Sequence, residues 1–264
     1  METRILTLLL ISFFLIPIQI HAQSQIIALD VGEGQSVLIK HGNDGVLIDT
    51  GHAGQATSLL EKLNQYNIKH LKSIILTHLH PDHASAYFRL KETFPSAEIF
   101  TNCHPLPTNI LPDTTRWINE ALQQDKQHRC LKAGDTLTFN KIKISTLWPG
   151  KFISSDLNHH SLVLNITING KMILLMADTG FEAEHILRKE NLLPTNILTL
   201  VVGHHGANDA TSKEFINHVK PEMAVISVNK NNIRGYPSQQ TIDRLQSMNI
   251  KLKRTDTHGD IVIH

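Results

Sequence analysis

At 264 residues the chain can form one large domain or two small ones, and it is long enough to bury a sizeable core. Its 25 Lys and Arg against 24 Asp and Glu exclude a strongly basic nucleic-acid-coating protein and an acidic solvating tail. Histidine is abundant at 17 copies, and imidazole is the commonest metal ligand, although most of these residues are expected to be ordinary surface side chains.

Residues 1–22 read as a cleaved secretory signal peptide: Arg4, an apolar run from Ile5 to Ile16, the breaker Pro17 and the small residue Ala22. A retained anchor is the rival reading, but the apolar run is short for crossing a bilayer. No later stretch is apolar for long enough to span one, so residues 23–264 are expected to be one domain, exported to the periplasm or secreted, with no stable membrane association. The two cysteines, Cys103 and Cys130, can pair in an oxidising compartment or stay free; the sequence leaves both open. Two cysteines so placed do not make a structural zinc site.

Along the mature chain, apolar runs at Ile26 to Val31, Val37 to Lys40 and Val46 to Ile48 predict consecutive strands, with a hairpin at Gly42-Asn43-Asp44-Gly45. Leu59, Leu60, Leu63 and Tyr66 recur at helical spacing and predict a helix over Thr57 to Tyr66. A buried strand at Ser73 to Leu76 follows, then a helix from Ala84 to Phe94 that Pro95 ends. The stretch from Cys103 to Cys130, rich in nearby prolines, reads as an insertion or substrate-side loop. The second half alternates strands at Thr136 to Phe139, Ile142 to Leu147, Leu162 to Ile168, Met172 to Met176, Ile197 to Val202 and Met223 to Val228 with helices near Glu182 to Lys189, Ser212 to Val219 and Ser238 to Ser247. Two sheet-rich halves, each with helices, predict a sandwich of two sheets with helices outside.

The chemistry concentrates in Thr77-His78-Leu79-His80-Pro81-Asp82-His83, directly after a buried strand and where a helix begins. His78 and His80 alternate on an extended segment and so face one side, while Asp82 and His83 open the helix and can serve a second ion. A lone His is usually solvated or hydrogen-bonded; this cluster reverses that expectation. Asp178 and the pair His204-His205 lie at the ends of two further strands, and a carboxylate at Asp178 can bridge two cations. Taken alone, Asp178 before Thr179-Gly180 reads equally well as a turn or cap residue.

The run from Thr77 to His83 matches the H-x-H-x-D-H signature of the metallo-β-lactamase superfamily. Within it, Leu29-Asp30-Val31-Gly32-Glu33-Gly34, Val46 to Gly51, Ser161 to Leu164, Gly203-His204-His205-Gly206 and Arg254-Thr255-Asp256 make the chain similar to the C-terminal extracellular hydrolase domain of the DNA-uptake protein ComEC, from about Ile26 to His264. The resemblance implies an αββα four-layer sandwich. It also implies His78, His80, Asp82, His83, Asp178 and His204 as ligands of two divalent metal ions, zinc or else manganese. His205 is the alternative to His204, Asn158 or His160 can complete the first metal, and Asp49 orients ligands from beside the site. The chain departs from the family at Gln35, where an acidic residue is usual, at Ser85-Ala86 in place of a Gly pair, and at Tyr236-Pro237 in place of His-Pro. The last change removes a histidine able to act catalytically or to contact phosphate.

The resulting expectation is an exported hydrolase that cleaves phosphodiesters, DNA among them, by metal-activated water, with Asp82 managing the proton. An esterase or phosphoesterase acting on lipid or cell-wall headgroups is the alternative, and a non-catalytic metal-dependent binding module is the alternative of another class. The nucleic-acid case has weak support in composition, since aromatics form only 5% and the modest basic stretches at Lys230 to Arg234 and Lys251 to Arg254 read more readily as solvated surface.

Overall fold

Most strands of this chain carry apolar residues on both faces, and a strand apolar on both sides must be covered on both sides. The computed structural model, which describes residues 23–104, 111–150 and 156–264, meets that demand with two stacked seven-stranded sheets. The segment 1–22, read as a signal peptide, lies outside the described residues.

The first half runs β1 (Ser24–Ala28), β2 (Val37–His41), β3 (Asp44–Ile48), α1 (Ala56–Gln65), β4 (His70–Ile75), α2 (Pro81–Ala84), α3 (Tyr87–Thr93), β5 (Glu98–Thr101), α4 (Asp113–Gln124) and β6 (His128–Cys130). The second runs β7 (Thr136–Phe139), β8 (Ile142–Trp148), β9 (Val163–Ile168), β10 (Lys171–Leu175), α5 (Phe181–Lys189), β11 (Thr199–Val201), α6 (Lys213–Val219), β12 (Met223–Ile226), α7 (Gln239–Gln246), β13 (Lys251–Arg254), α8 (Thr255–His258) and β14 (Ile261–Val262). The sheets are ordered β14-β1-β2-β3-β4-β5-β6 and β13-β12-β11-β10-β9-β8-β7, so each half makes one sheet and only β14 crosses over. It lies antiparallel to β1, with Ile27 opposite Val262.

Strand alternation sorts the side chains into three layers of core. Val37, Ile39, Ile48 and Ile75 face Ile144, Leu164, Ile166, Ile173 and Leu175 between the sheets. Leu38, Leu47 and Ile74 point outward instead, onto Leu59 and Leu63 of α1, Leu90 of α3 and Ile118 and Leu122 of α4. On the far side Leu174, Leu200 and Ile226 meet Leu187 of α5, Phe215 and Val219 of α6 and Leu245 of α7. Each such side chain contributes roughly 1.5–3 kcal/mol by leaving water. The architecture is the expected αββα sandwich.

Local chemistry explains the turns. Asn169 and Gly170 both adopt positive φ (49° and 76°) between antiparallel β9 and β10, which the tight hairpin requires. The reading of Cys103 to Cys130 as loop needs correction: it contains α4, whose Thr115, Ile118 and Leu122 form a buried stripe, started after Pro112. Cys103 and Cys130 form a disulfide with Cα atoms 5.3 Å apart, tying the segment after β5 to β6. β3, β4, β5 and β6 are parallel neighbours, as are β10, β11, β12 and β13, so the C-terminal ends of β4, β10 and β11 open along one edge of the sandwich.

Candidate metal centre

β4 ends at Ile75, and the backbone stays extended through His80 (φ −64°, ψ 144°) until Pro81 starts α2 at the first helical position, where its missing N–H costs nothing. The extended dipeptide step puts His78 and His80 on one side, with His78 Nε2 3.0 Å from His80 Nδ1. The turn into α2 swings Asp82 and His83 inward, and both are buried. Gly34 lets the preceding loop lie against this turn: a Cβ there would stand 1.7 Å from the Asp82 carbonyl oxygen, so no other residue fits.

Two groups of side chains result. His78, His80 and Asp178 converge in one, and Asp82, His83 and His205 in the other, with the donor atoms of each group within 4.8 Å of one another. Asp178 stands between the two groups. Its Oδ1 lies 3.1 Å from His83 Nε2 and 3.4 Å from His205 Nε2, and its Oδ2 lies 3.7 Å from His78 Nε2. Oδ1 is buried, yet it makes no hydrogen bond of acceptable geometry among the described residues.

The hydrogen bonds behind the rings fix which nitrogen faces the site. His205 Nδ1 lies 2.9 Å from the Ser227 carbonyl oxygen, which can only accept, so Nδ1 carries the proton. His83 Nδ1 donates in the same way to Asp49 Oδ2 at 2.8 Å. Thr77 Oγ1 donates to Asp49 Oδ2 at 2.9 Å, leaving its oxygen to accept from His78 Nδ1 at 3.1 Å. Each Nε2 therefore points inward, and those of His83 and His205 stand 3.1 Å apart. Two neutral imidazoles so arranged would set lone pair against lone pair; a proton on His83 or a cation in the group removes the conflict. The inward Nε2 atoms, the buried carboxylates and the unsatisfied Asp178 oxygen together are a donor set fitted to divalent cations.

Electrostatics agree with the geometry. Burial, and then the neighbouring His83, hold His78 well below the ordinary imidazole value, and burial likewise lowers His80. Burial alone would favour neutral carboxyls at Asp82 and Asp178, but His83 and His205 outweigh it, and both are held below the usual range. At His83 burial is outweighed by Asp178 and Asp49, which raise it.

Asp49 lies beside the two groups, fully buried and at positive φ (59°). Besides His83, its carboxylate accepts from the Thr77 backbone N–H at 2.7 Å and from Gln35 Nε2 at 2.9 Å. The departure at Gln35 thus supplies a donor where an acidic residue would have met a second carboxylate.

Of the pair His204-His205, it is His205 that the structure turns inward. Both residues adopt left-handed backbone (φ 49° and 53°), a conformation that costs about 1–2 kcal/mol per residue, and Gly206 follows at φ 81°. This turn directs His205 onto Ser227 O and the ligand group, while His204 points away, 3.4 Å from Asp209 Oδ1 and 3.4 Å from Asn158 Nδ2. His160 belongs to neither ligand group; its ring lies against His104 with centroids 4.6 Å apart. Asn158 approaches through His204, and its Oδ1 is buried with no hydrogen bond among the described residues. Arg234, which reads in the sequence as part of a basic surface stretch, brings its guanidinium to 3.2 Å from Asp82 Oδ2. A cavity of about 290 Å³ adjoins the centre, lined by His78, Asn102, His104, Asn119, Gln123 and His128 among others.

Comparisons with known proteins agree with this geometry. A family model described as the metallo-beta-lactamase superfamily matches residues 29–99. ComE operon protein 3 of Bacillus subtilis is 28% identical over 91% of this chain and 33% of its own length. Competence protein ComA of Neisseria gonorrhoeae is 28% identical over 87% of this chain and 30% of its own. The chain thus spans about a third of the length of these relatives. Among solved structures, the metallo-beta-lactamase fold protein YhfI from Bacillus subtilis superposes with a TM-score of 0.61 over 91% of this chain and 100% of that one, at 13% identity.

Proposed function

Because this chain belongs to the metallo-β-lactamase superfamily of hydrolases and is homologous to the competence proteins, we propose that it cleaves phosphodiester bonds, those of nucleic acid first, outside the cytoplasm. The observation that carries the reading is Asp178, whose two carboxylate oxygens face different ligand groups, one towards His83 and His205 and the other towards His78. Such a shared carboxylate suits paired cations acting on a phosphoryl group better than it suits lactam opening.

His78, His80 and Asp178 would hold one cation and Asp82, His83 and His205 the other, zinc or manganese, with Asp178 common to both. When bound, such ions supply Lewis acidity and lower the pKa of water. The protein's part is to hold this arrangement rigid: Asp49, Thr77 and Ser227 O lock three imidazoles in the tautomer that offers Nε2. Asp82, kept ionised despite its burial, is placed to accept the proton released as water oxygen bonds to phosphorus and the ester oxygen leaves. The cavity beside His78, walled by side-chain amides and imidazoles, has room for the group flanking the scissile phosphate.

Export is proposed from the leader-like segment at Arg4, Ile5 to Ile16 and Ala22. Among the described residues no helix is long and apolar enough to cross a membrane.

Metal-loaded protein should be assayed on single-stranded DNA, double-stranded DNA, RNA and bis(p-nitrophenyl) phosphate, with nitrocefin as counter-substrate and Asp82→Ala as control. Turnover of a phosphodiester that the substitution abolishes supports the reading. Turnover of nitrocefin at a comparable rate, or activity retained by Asp82→Ala, overturns it.

A further inference from the structure

Among the described residues, Arg234 is the one Lys or Arg whose charge reaches a candidate ligand, with Nη1 3.2 Å from Asp82 Oδ2. It stands on the loop between β12 and α7, at a small depression lined also by Glu33, His205, Asn229 and Tyr236. The loop is stiffened from within by Asn232. That side chain donates to the carbonyls of Asn229 and Tyr236, both at 2.7 Å, and accepts from the Tyr236 N–H at 2.8 Å. A braced loop therefore presents the Arg234 guanidinium at the mouth of the centre.

The pairing of Arg234 is weak in form. The contact to Asp82 is made through one nitrogen, the other terminal nitrogen lies 3.9 Å from Glu33 Oε1, and the Arg234 side chain is 47% exposed. An exposed, single-contact ion pair is worth little, so the guanidinium can leave Asp82 at small cost. Once Asp82 is engaged by a cation, its attraction for Arg234 falls further, and the fork of donors is free for another anion at the same mouth. Tyr236, where the resembling family has histidine, stacks on His205 and offers a hydroxyl in place of an imidazole.

We propose that Arg234 is the cationic contact for a non-bridging oxygen of the substrate phosphate, supplying from the β12–α7 loop the charge that Tyr236 cannot. The inference rests on the phosphodiester reading above and deepens it, since a guanidinium at this place selects an anionic ester over a neutral one.

The test is inorganic phosphate binding to the metal-loaded protein, by titration calorimetry, for the wild type, Arg234→Ala, Arg234→Gln and Arg234→Lys, with metal content measured on each sample. The expected result is that Ala and Gln weaken phosphate roughly tenfold to a hundredfold, Lys recovers part of the loss, and metal content and melting temperature stay unchanged. Phosphate affinity unchanged in Arg234→Gln, or no phosphate binding by the metal-loaded wild type, overturns the proposal. So does a loss of bound metal in parallel with phosphate, which would make Arg234 a positioning residue for Asp82. If phosphate binds through Arg234 but no phosphodiester is turned over, the functional reading fails and the phosphate contact stands.

Discussion

His83 Nε2 and His205 Nε2 face each other at 3.1 Å, each ring held from behind by an acceptor for its Nδ1–H, Asp49 in one case and Ser227 O in the other. A pair built this way receives a cation without ring rotation or tautomer exchange. The first expectation concerns the neighbouring histidines. His205→Ala should bind about one divalent ion fewer per chain than the wild type and lose hydrolysis, whereas His204→Ala keeps its full metal content. Elemental analysis of the two purified variants decides, and a reversed result would return the ligand role to His204.

Asp49 touches three segments at once: Gln35, Thr77 through both backbone and side chain, and His83. Asp49→Asn keeps the shape but removes the acceptor that fixes His83, so metal affinity should fall about 10- to 100-fold with the fold retained. Chelator competition measures the affinity and circular dichroism the fold. Asp49→Ala should be worse in stability, because it strands the buried Thr77 N–H at about 1–3 kcal/mol.

The centre is legible in sequence where one local pattern dictates it. In Thr77 to His83 the strand's end, the alternation of His78 and His80, and Pro81 at the helix start are all set within seven residues. The choice between His204 and His205 was not legible, because it depends on two successive left-handed residues that no hydrophobic period records. The helix Asp113–Gln124 was hidden by the prolines before it, although Thr115, Ile118 and Leu122 carry a helical stripe. Arg234 could not be singled out either: its place opposite Asp82 spans 152 residues of chain. What sequence did offer there was the exchange of His for Tyr at 236, a hint that charge near the site comes from elsewhere.

The Cys103–Cys130 bridge closes a loop with a sequence separation of 27. In the chain-entropy account a loop of this size contributes about 3–4 kcal/mol by restricting the unfolded chain. Replacing both cysteines by serine should lower the denaturant midpoint correspondingly. Because Cys103 also lines the cavity beside His78, KM should rise more than kcat falls. A variant with unchanged stability would show that the reduced loop keeps its order without the bridge.

Asp125 anchors the end of α4 by accepting from Tyr87 Oη at 2.9 Å and the Gln127 N–H at 2.9 Å, with Lys91 Nζ at 3.1 Å. Burial would raise its pKa, but the Gln127 N–H, Lys91 and Tyr87 outweigh that and leave it lowered. A carboxyl lowered on folding adds stability that is present above its unfolded value and lost as pH falls through the folded one. Asp125→Asn should therefore cost roughly 1–2 kcal/mol at neutral pH and less at an acid pH below the lowered folded-state value. Urea unfolding at both pH values checks the sign; an equal cost at both would contradict it.

Removal of divalent ions should lower the melting temperature, since ligands that bind only the folded state stabilise it by mass action, about 2.7 kcal/mol at a hundredfold excess over Kd. Chelated protein should melt lower and recover on adding zinc or manganese. The double variant Asp82→Ala, Asp178→Ala should show no such recovery.

The pairing of β14 with β1 joins Val262 to Ile27, and Asp260 further binds the Asp30 N–H, Lys62 and Tyr66. The first sheet thus takes one outer strand from beyond all seven strands of the second in chain order. In chain order that sheet keeps a bare edge at β1 until the whole second sheet has been made and β14 follows it. Completion of the first sheet therefore trails every strand of the second, and the interval before β14 arrives is when the β1 edge is most open to a wrong partner.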